Sequence, residues 1–157
     1  MGPAAIRKAN QFQVSKPAEL AADDRKAIWD IFKDNMHGLY IKSAFGWDPA
    51  AKQEELFDPL SRFILCRKST DSELGPLVAY AMFRFDREEG EDVAYCYELQ
   101  VADGSRKCGL GNALMQKLGS IGSRWGMRKI MLTVLKENTA ATLFYKSIGS
   151  NFARIPV

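Results

Sequence analysis

Residues 98–113 confine the chain to a small set of folds: an apolar strand runs into Arg106-Lys107-Cys108-Gly109-Leu110-Gly111, and a helical pattern begins straight after the glycines. In such a strand–turn–helix the backbone N–H groups of the turn, backed by the positive end of the helix, form a cradle for phosphate oxygens. Glycines at 109 and 111 are expected to let the main chain approach a diphosphate with no Cβ in the way. A Walker-type loop is disfavoured, because Gly111 is followed by Asn112-Ala113 where Lys-Ser/Thr is required. The turn predicts a phosphate-bearing ligand held at the end of a sheet strand.

The 157 residues suffice for one domain with a real core and are too few for two. Hydrophobic residues make up 46% and charged residues 26%, the balance of an ordinary globular protein. A net charge of +3 carries no general nucleic-acid footprint, so direct nucleic-acid binding is not expected. Cys66, Cys96 and Cys108 are odd in number and lack CxxC spacing, which predicts a reduced intracellular protein with unpaired thiols. With His37 the single histidine and no Cys/His cluster, no metal is expected, and His37 reads as a half-exposed helix residue. No run of about 18 apolar residues and no signal-peptide core are present, so neither membrane insertion nor export is expected. The opening Met-Gly-Pro-Ala-Ala-Ile has the glycine of a myristoylation signal but Ile6 where Ser or Thr belongs, and lipidation is discounted. A monomer is expected.

Residues 1–17 lack clear periodicity, carry Arg7, Lys8 and Lys16, and are expected to form an arm ahead of a domain over 18–157. From Pro17 a helix pattern sets Ile28, Ile31, Phe32 and Met36 on one face, continued by Leu39 and Tyr40 past Gly38. Asp48-Pro49 reads as the N-cap and first residue of a short helix ending near Phe57. The period then changes to that of strands over 62–67, 77–86 and 93–101, with the acidic link 87–92 expected as a hairpin. A helix over 112–125, a buried strand over 130–135, a helix over 139–147 ended by Gly149 and a strand over 152–157 follow. Meandering strands and then alternating β and α imply an α/β (α+β) domain, a mixed central sheet flanked by helices.

The element order, the Arg106-x-x-Gly109-x-Gly111 turn and the Asn138-x-x-Ala141-x-x-x-Tyr145-x-x-x-Gly149 segment resemble the GNAT superfamily of N-acetyltransferases. Over 28–152 the segments Asn35-Met36, Tyr40, Gly46-Trp47, Phe83-Arg84-Phe85-Asp86, Tyr95-Cys96-Tyr97-Glu98 and Met131-Leu132-Thr133-Val134 resemble most closely the NatD branch, N-terminal acetyltransferases of histone H4 and the A-type H2 histone. Tyr-Cys-Tyr-Glu discriminates far better than the glycine turn, which a great many relatives share. The resemblance implies the GNAT fold with a splayed strand and acetyl-CoA as donor. Its diphosphate would lie on Arg106, Lys107, Cys108, Gly109, Leu110, Gly111 and Asn112, and its pantetheine arm beside Leu99, Gln100 and Val101. Asn138 and Tyr145 match further donor contacts. Direct transfer to the N-terminal amine of Ser-Gly-Arg-Gly tails is implied, with nucleus and cytoplasm both fitting as locations. The implied fold finishes with two paired strands and this sequence reaches only the first, so either the sequence is truncated or the last strand is absent; an absent strand would expose a sheet edge and remove one wall of the peptide site.

Acetylating an amine from a thioester needs a neutral amine, a polarised carbonyl, a protonated leaving thiolate and close alignment. Alternation puts Tyr95, Tyr97 and Leu99 on one strand face and Cys96 and Glu98 on the other. The splayed strand of the resemblance would bring Glu98 and Tyr97 into one cleft through a β-bulge. On the resemblance Glu98 is the candidate general base, acting through water, against a plain sheet carboxylate paired with Lys or Arg. Tyr97 is a candidate general acid or positioning phenol, against a core aromatic, and Tyr145 is the rival acid. Asp86 and Glu88 match positions that grip the arginine of the tail by bidentate contacts, against a solvated hairpin tip. Tyr40, Tyr95 and Thr133 match further peptide contacts, against packing residues, and Phe45 stands where some relatives have Trp. Asn138 also reads as a plain N-cap, Arg106 and Lys107 as a basic surface turn, and Cys108 need not be nucleophilic. An α-amine, with a pKa of about 7.7–8.0 against about 10.4 for lysine, favours N-terminal transfer at a site without a histidine. Two readings compete: a lysine or small-amine acetyltransferase, and a non-catalytic acyl-CoA-binding module.

Overall fold

The computed structural model describes residues 10–69 and 74–148, together with the backbone of 152–156. Six strands form one mixed sheet whose spatial order is the chain order: β1 (Gln11–Ser15), β2 (Arg62–Ser69), β3 (Leu74–Glu88), β4 (Glu91–Val101), β5 (Lys129–Val134) and β6 (Phe152–Pro156). The first four strands are antiparallel, β5 runs parallel to β4, and β6 runs parallel to β5. The two parallel steps need crossovers, supplied by α3 (Leu110–Arg124) and α4 (Thr139–Ser147); α1 (Ala22–Ile41) and α2 (Pro49–Leu56) lie between β1 and β2 in the chain.

Both faces of the sheet are covered, which is why residues 63–66 read as an unbroken apolar run. Ile64, Cys66, Phe83, Cys96 and Leu132 pack with Leu114, Met115 and Leu118 of α3 on one face. Phe63, Leu65, Tyr80 and Met82 pack with Ile28, Ile31 and Leu56 of α1 and α2 on the other. A third cluster, Phe32, Met36 and Leu135 with Trp29, Tyr40 and Trp47, walls the end of the sheet where the site lies. The N-cap expected at Asp48 is present: its side chain accepts from Ala51 N–H at 3.1 Å, with Pro49 opening the helix.

Several expectations change. The arm expected over 1–17 gives way, over Gln11–Ser15, to a strand paired with β2 from Gln11↔Arg67 to Ser15↔Phe63. Pro17–Glu19 forms a separate 3-10 turn, and α1 starts only at Ala22. The acidic link is mostly strand; the turn is Glu89-Gly90 alone, with φ of 51° and 81°, the geometry of a two-residue I′ hairpin. Gly149, expected to end α4, lies outside the described residues. At the far edge β6 pairs with β5 from Ile130↔Phe152 to Val134↔Pro156, and among the described residues no strand lies beyond it.

Two irregularities shape the site. The β3–β4 register shifts between Met82↔Glu98 and Phe83↔Cys96, so Tyr97 is the extra residue of a bulge. The β4–β5 ladder stops at Cys96↔Leu132 although β4 continues to Val101 and β5 to Val134. The strand is splayed there.

Candidate active site

Where β4 and β5 part, two cavities meet. They share Met36, Leu99, Gln100, Asn138, Ala141 and Tyr145 as walls.

The cavity on the glycine-turn side, about 650 Å³, is lined by Leu99, Gln100, Val101, Arg106, Lys107, Gly109, Leu110, Gly111, Asn112, Asn138 and Tyr145, all sequence-predicted donor residues; Cys108 is exposed in the same turn and does not line it. The turn is set by left-handed backbone at Lys107 (φ 65°) and Gly109 (φ 77°). Gly109 is the N-cap of α3 and has no side chain to offer, so the first-turn N–H groups of that helix are uncapped. Gly111 has a packing role besides the one expected. A Cβ there would come within 3.1 Å of the Phe144 ring, so this glycine lets α4 approach α3 while also lining the cavity. Asn138 combines both of its readings, since its side chain caps α4 by accepting from Ala141 N–H at 3.1 Å while lining the cavity.

The second cavity, about 540 Å³, is lined by Tyr40, Glu88, Tyr95, Tyr97, Glu98 and Thr133 among others. The bulge explains this grouping. Tyr97 packs with the cluster under α1 and α2, and Glu98 sits opposite Met82 of that same cluster, while Cys96 and Leu99 belong to the α3 face. Simple alternation therefore fails at one step: Glu98 joins Tyr97, and Leu99 crosses to the side of Cys96. Tyr95 Oη is hydrogen-bonded to Thr133 Oγ1, tying the two strands together just where they separate. Asp86 does not line the cavity; it is exposed two residues along β3 from Glu88 and accepts from Arg87 N–H. Phe45, 60% exposed, stands at the cavity wall beside Gly46 and Trp47, and the exposed His37 leans on Trp47 with ring centroids 4.5 Å apart.

Glu98 is 6% exposed and carries three contacts through its carboxylate and backbone. Lys52 Nζ of α2 forms an ion pair with Oε2, Gln100 Nε2 donates to Oε1 at 2.8 Å, and the Cys96 thiol points to its carbonyl. The sequence allowed a carboxylate paired with Lys or Arg, and that pairing exists, but both partners face the cavity. Burial raises the Tyr145 phenol well above its ordinary range, helped by the charge of Glu98, so it stays protonated. Burial likewise lifts Tyr97, opposed by Arg84, whose guanidinium lies 4.5 Å from the ring centre, and aided by Asp86. Burial pushes the Cys96 thiol up to about 12, which leaves it an inert packing group.

Sequence reasoning missed Lys52 and Asn35 as site residues. Lys52 lies four residues before Leu56, the fully buried residue of α2, and that i,i+4 spacing was the available signal. Asn35 stood in the sequence only within the Asn35-Met36 match of the resemblance: it donates to Gln100 Oε1 at 3.1 Å and Val101 O at 2.9 Å and accepts from Arg106, contacts that bridge α1 to β4 and the glycine turn.

Comparison with known proteins decides the family. The pattern of the acetyltransferase (GNAT) family matches residues 25–149. The chain belongs to the GNAT family. Solved structures agree in fold. A ribosomal-protein-alanine N-acetyltransferase from Brucella melitensis biovar Abortus 2308 superposes with a TM-score of 0.66 at 15% identity, covering 90% of this chain and 92% of that one. A putative acetyl transferase from Pyrococcus furiosus gives 0.62 at 21% identity over 92% and 97% of the two chains. An aminoglycoside N-acetyltransferase in complex with CoA gives 0.59 at 14% identity over 90% and 89%.

GNAT enzymes take their acetyl group from acetyl-CoA, and the first cavity fits that donor. The edge of β4 beyond Cys96 is not joined by β5, the uncapped turn of α3 opens on the cavity, and Arg106 and Lys107 line it. Bound there, the donor supplies an activated acetyl thioester. The β4 edge would hold its extended arm and the turn its diphosphate.

Proposed function

We propose that this GNAT enzyme acetylates the free α-amine of peptides beginning Ser-Gly-Arg-Gly, the tails of histone H4 and the A-type H2 histone, as the NatD branch does, in cytoplasm and nucleus. One observation carries the reading: the second cavity is lined by the carboxyl-bearing residues Asp48, Glu55, Glu88 and Glu98, and it meets the donor cavity at Tyr145. An acidic slot suits a basic tail, although the chain as a whole carries a net charge of +3. An α-amine also suits a site without histidine, since at neutral pH about 200–400-fold more of it is uncharged than of a lysine amine.

In this reading Glu98 accepts the surplus proton of the amine through water. Tyr145, which walls both cavities, holds the proton that the departing sulfur needs, while Tyr97, which walls only the second, orients the peptide. Tyr145→Phe should then lower kcat about 10²-fold, and Tyr97→Phe should act mainly on the peptide KM. Steady-state rates at saturating acetyl-CoA check this; the opposite pattern reverses the two roles.

Glu88 and Asp86 share one face of β3 and are read as the grip on the tail's arginine. Replacing either by Ala should raise the peptide KM about 5–20-fold with kcat nearly unchanged, as expected for exposed charge-assisted hydrogen bonds. An unaltered peptide KM removes that grip.

The reading is tested with acetyl-CoA and two Ser-Gly-Arg-Gly peptides, one free and one blocked at its N-terminus, with products located by mass spectrometry. Acetyl on the free terminus alone supports it. Equal transfer to the blocked peptide supports instead a lysine or small-amine acetyltransferase, for which an acid-lined cavity is also suited.

A further inference from the structure

The acceptor cavity contains an ammonium group that acetyl transfer does not at first sight need. Lys52 Nζ lies against Glu98 Oε2 and 2.6 Å from Glu55 Oε1, and 4.9 Å from the centre of the Phe32 ring; its side chain is 13% exposed. Such a position is costly for a flexible lysine unless the pairing serves something. The groups facing the pair come from every surrounding element: Tyr40 from α1, Glu55 from α2, Tyr80 from β3, Cys96 and Gln100 from β4, and Tyr145 from α4. Among these neighbours, Lys52 is the cation within ion-pair distance of Glu98.

We propose that Lys52 is a positioning residue for acetyl transfer: its ammonium pairs with the buried Glu98 carboxylate and holds it in the acceptor cavity, ready to take a proton. The inference rests on reading Glu98 as the proton acceptor. The chemistry balances without a further reactant. The amine nitrogen bonds to the acetyl carbon as the carbon–sulfur bond breaks, the amine's surplus proton passes through water to Glu98, the sulfur takes a proton from Tyr145, and the Glu98 proton then returns through solvent to the Tyr145 phenolate, restoring both groups. A buried carboxylate that loses its cation favours its neutral acid form, which cannot accept that proton. Burial acts on Lys52 against its charge, but Glu98, Tyr40 and Glu55 outweigh it and hold the ammonium protonated well above the working pH. Lys52 is thus a fixed charge and not itself the base.

Two measurements separate this role from mere packing. The first is the pH dependence of kcat/KM for a free-amine Ser-Gly-Arg-Gly peptide with wild type, Lys52→Met, Lys52→Arg and Glu98→Gln. Lys52→Met should move the acid limb up by about one pH unit or more with the acetyl-CoA KM unchanged, and Lys52→Arg should return the limb toward its wild-type position. A Lys52→Met limb that coincides with wild type, in a protein inactivated by Glu98→Gln, overturns the proposal. The second needs no substrate. Thermal unfolding of Lys52→Met should fall furthest below wild type at pH 8, with the gap narrowing toward pH 5 as the lone carboxylate takes up a proton. The double variant Lys52→Met/Glu98→Gln should melt higher than Lys52→Met at pH 8. If Lys52→Met does not fold, a folded double variant supports the proposal and an unfolded one overturns it, as does a gap independent of pH. Failure of the wild type to acetylate the peptide sinks the substrate assignment and leaves the unfolding series to judge the pair.

Discussion

Glu98→Gln is expected to lower kcat by about 10²–10³-fold while leaving the acetyl-CoA KM within about twofold. Gln keeps the size of the side chain and an oxygen for the Gln100 amide, so the bulge and the cavity persist. It cannot accept a proton from the amine. It also leaves Lys52 with Glu55 as its remaining carboxylate partner within ion-pair distance, which adds some loss of stability. Steady-state kinetics with both substrates saturating, and thermal unfolding beside them, separate the two effects. Turnover that stays within about threefold of wild type removes Glu98 as the base.

Gly109→Val should act on the other cavity and on binding alone. At a φ of 77° a β-branched residue is strained, by about 1–2 kcal/mol or more, and the turn that opens α3 must shift to relieve it. The acetyl-CoA KM should rise about 10–30-fold, with kcat at saturation within about threefold and the peptide KM unchanged. Nothing lies within 4 Å of a Cβ at this position, so packing against the protein would not explain such a rise. Gly111→Ala is the natural control. Its methyl group meets Phe144 at 3.1 Å, so its effect should appear in the melting temperature before the acetyl-CoA KM. A Gly109→Val enzyme with an unaltered acetyl-CoA KM would place the donor elsewhere.

The contrast between the two glycines shows where sequence reasoning reaches and where it stops. Strand–turn–helix order, the caps at Asp48 and Asn138 and the period change after residue 60 are local signals, and they placed most elements within a few residues. The strand at Gln11–Ser15 was not legible because five residues with two apolar positions carry too short an alternation; their partner, β2, lies fifty residues away. The hairpin tip shrank to Glu89-Gly90 because cross-strand pairing held Arg87 and Glu88 in the ladder despite their charge.

The site followed the same division. Every site residue named from the resemblance except Cys108 and Asp86 lines one of the two cavities, yet the physical reason they meet is a one-residue register shift at Tyr97, which no periodicity reveals. Lys52 stayed hidden because a lysine beside Glu54 and Glu55 on a short helix reads as a solvated i,i+3 partner. Only the placement of α2 across the open end of the sheet turns it toward Glu98.

A crystal structure with CoA and a Ser-Gly-Arg-Gly peptide tests the central claim most directly. The account predicts the diphosphate oxygens within hydrogen-bond distance of the backbone N–H groups around Gly109–Gly111 and the pantetheine arm alongside Leu99 and Val101. The peptide's first nitrogen should lie within one water of Glu98. A CoA bound away from the β4 edge, or a peptide whose terminus does not reach the Glu98 cavity, would contradict it.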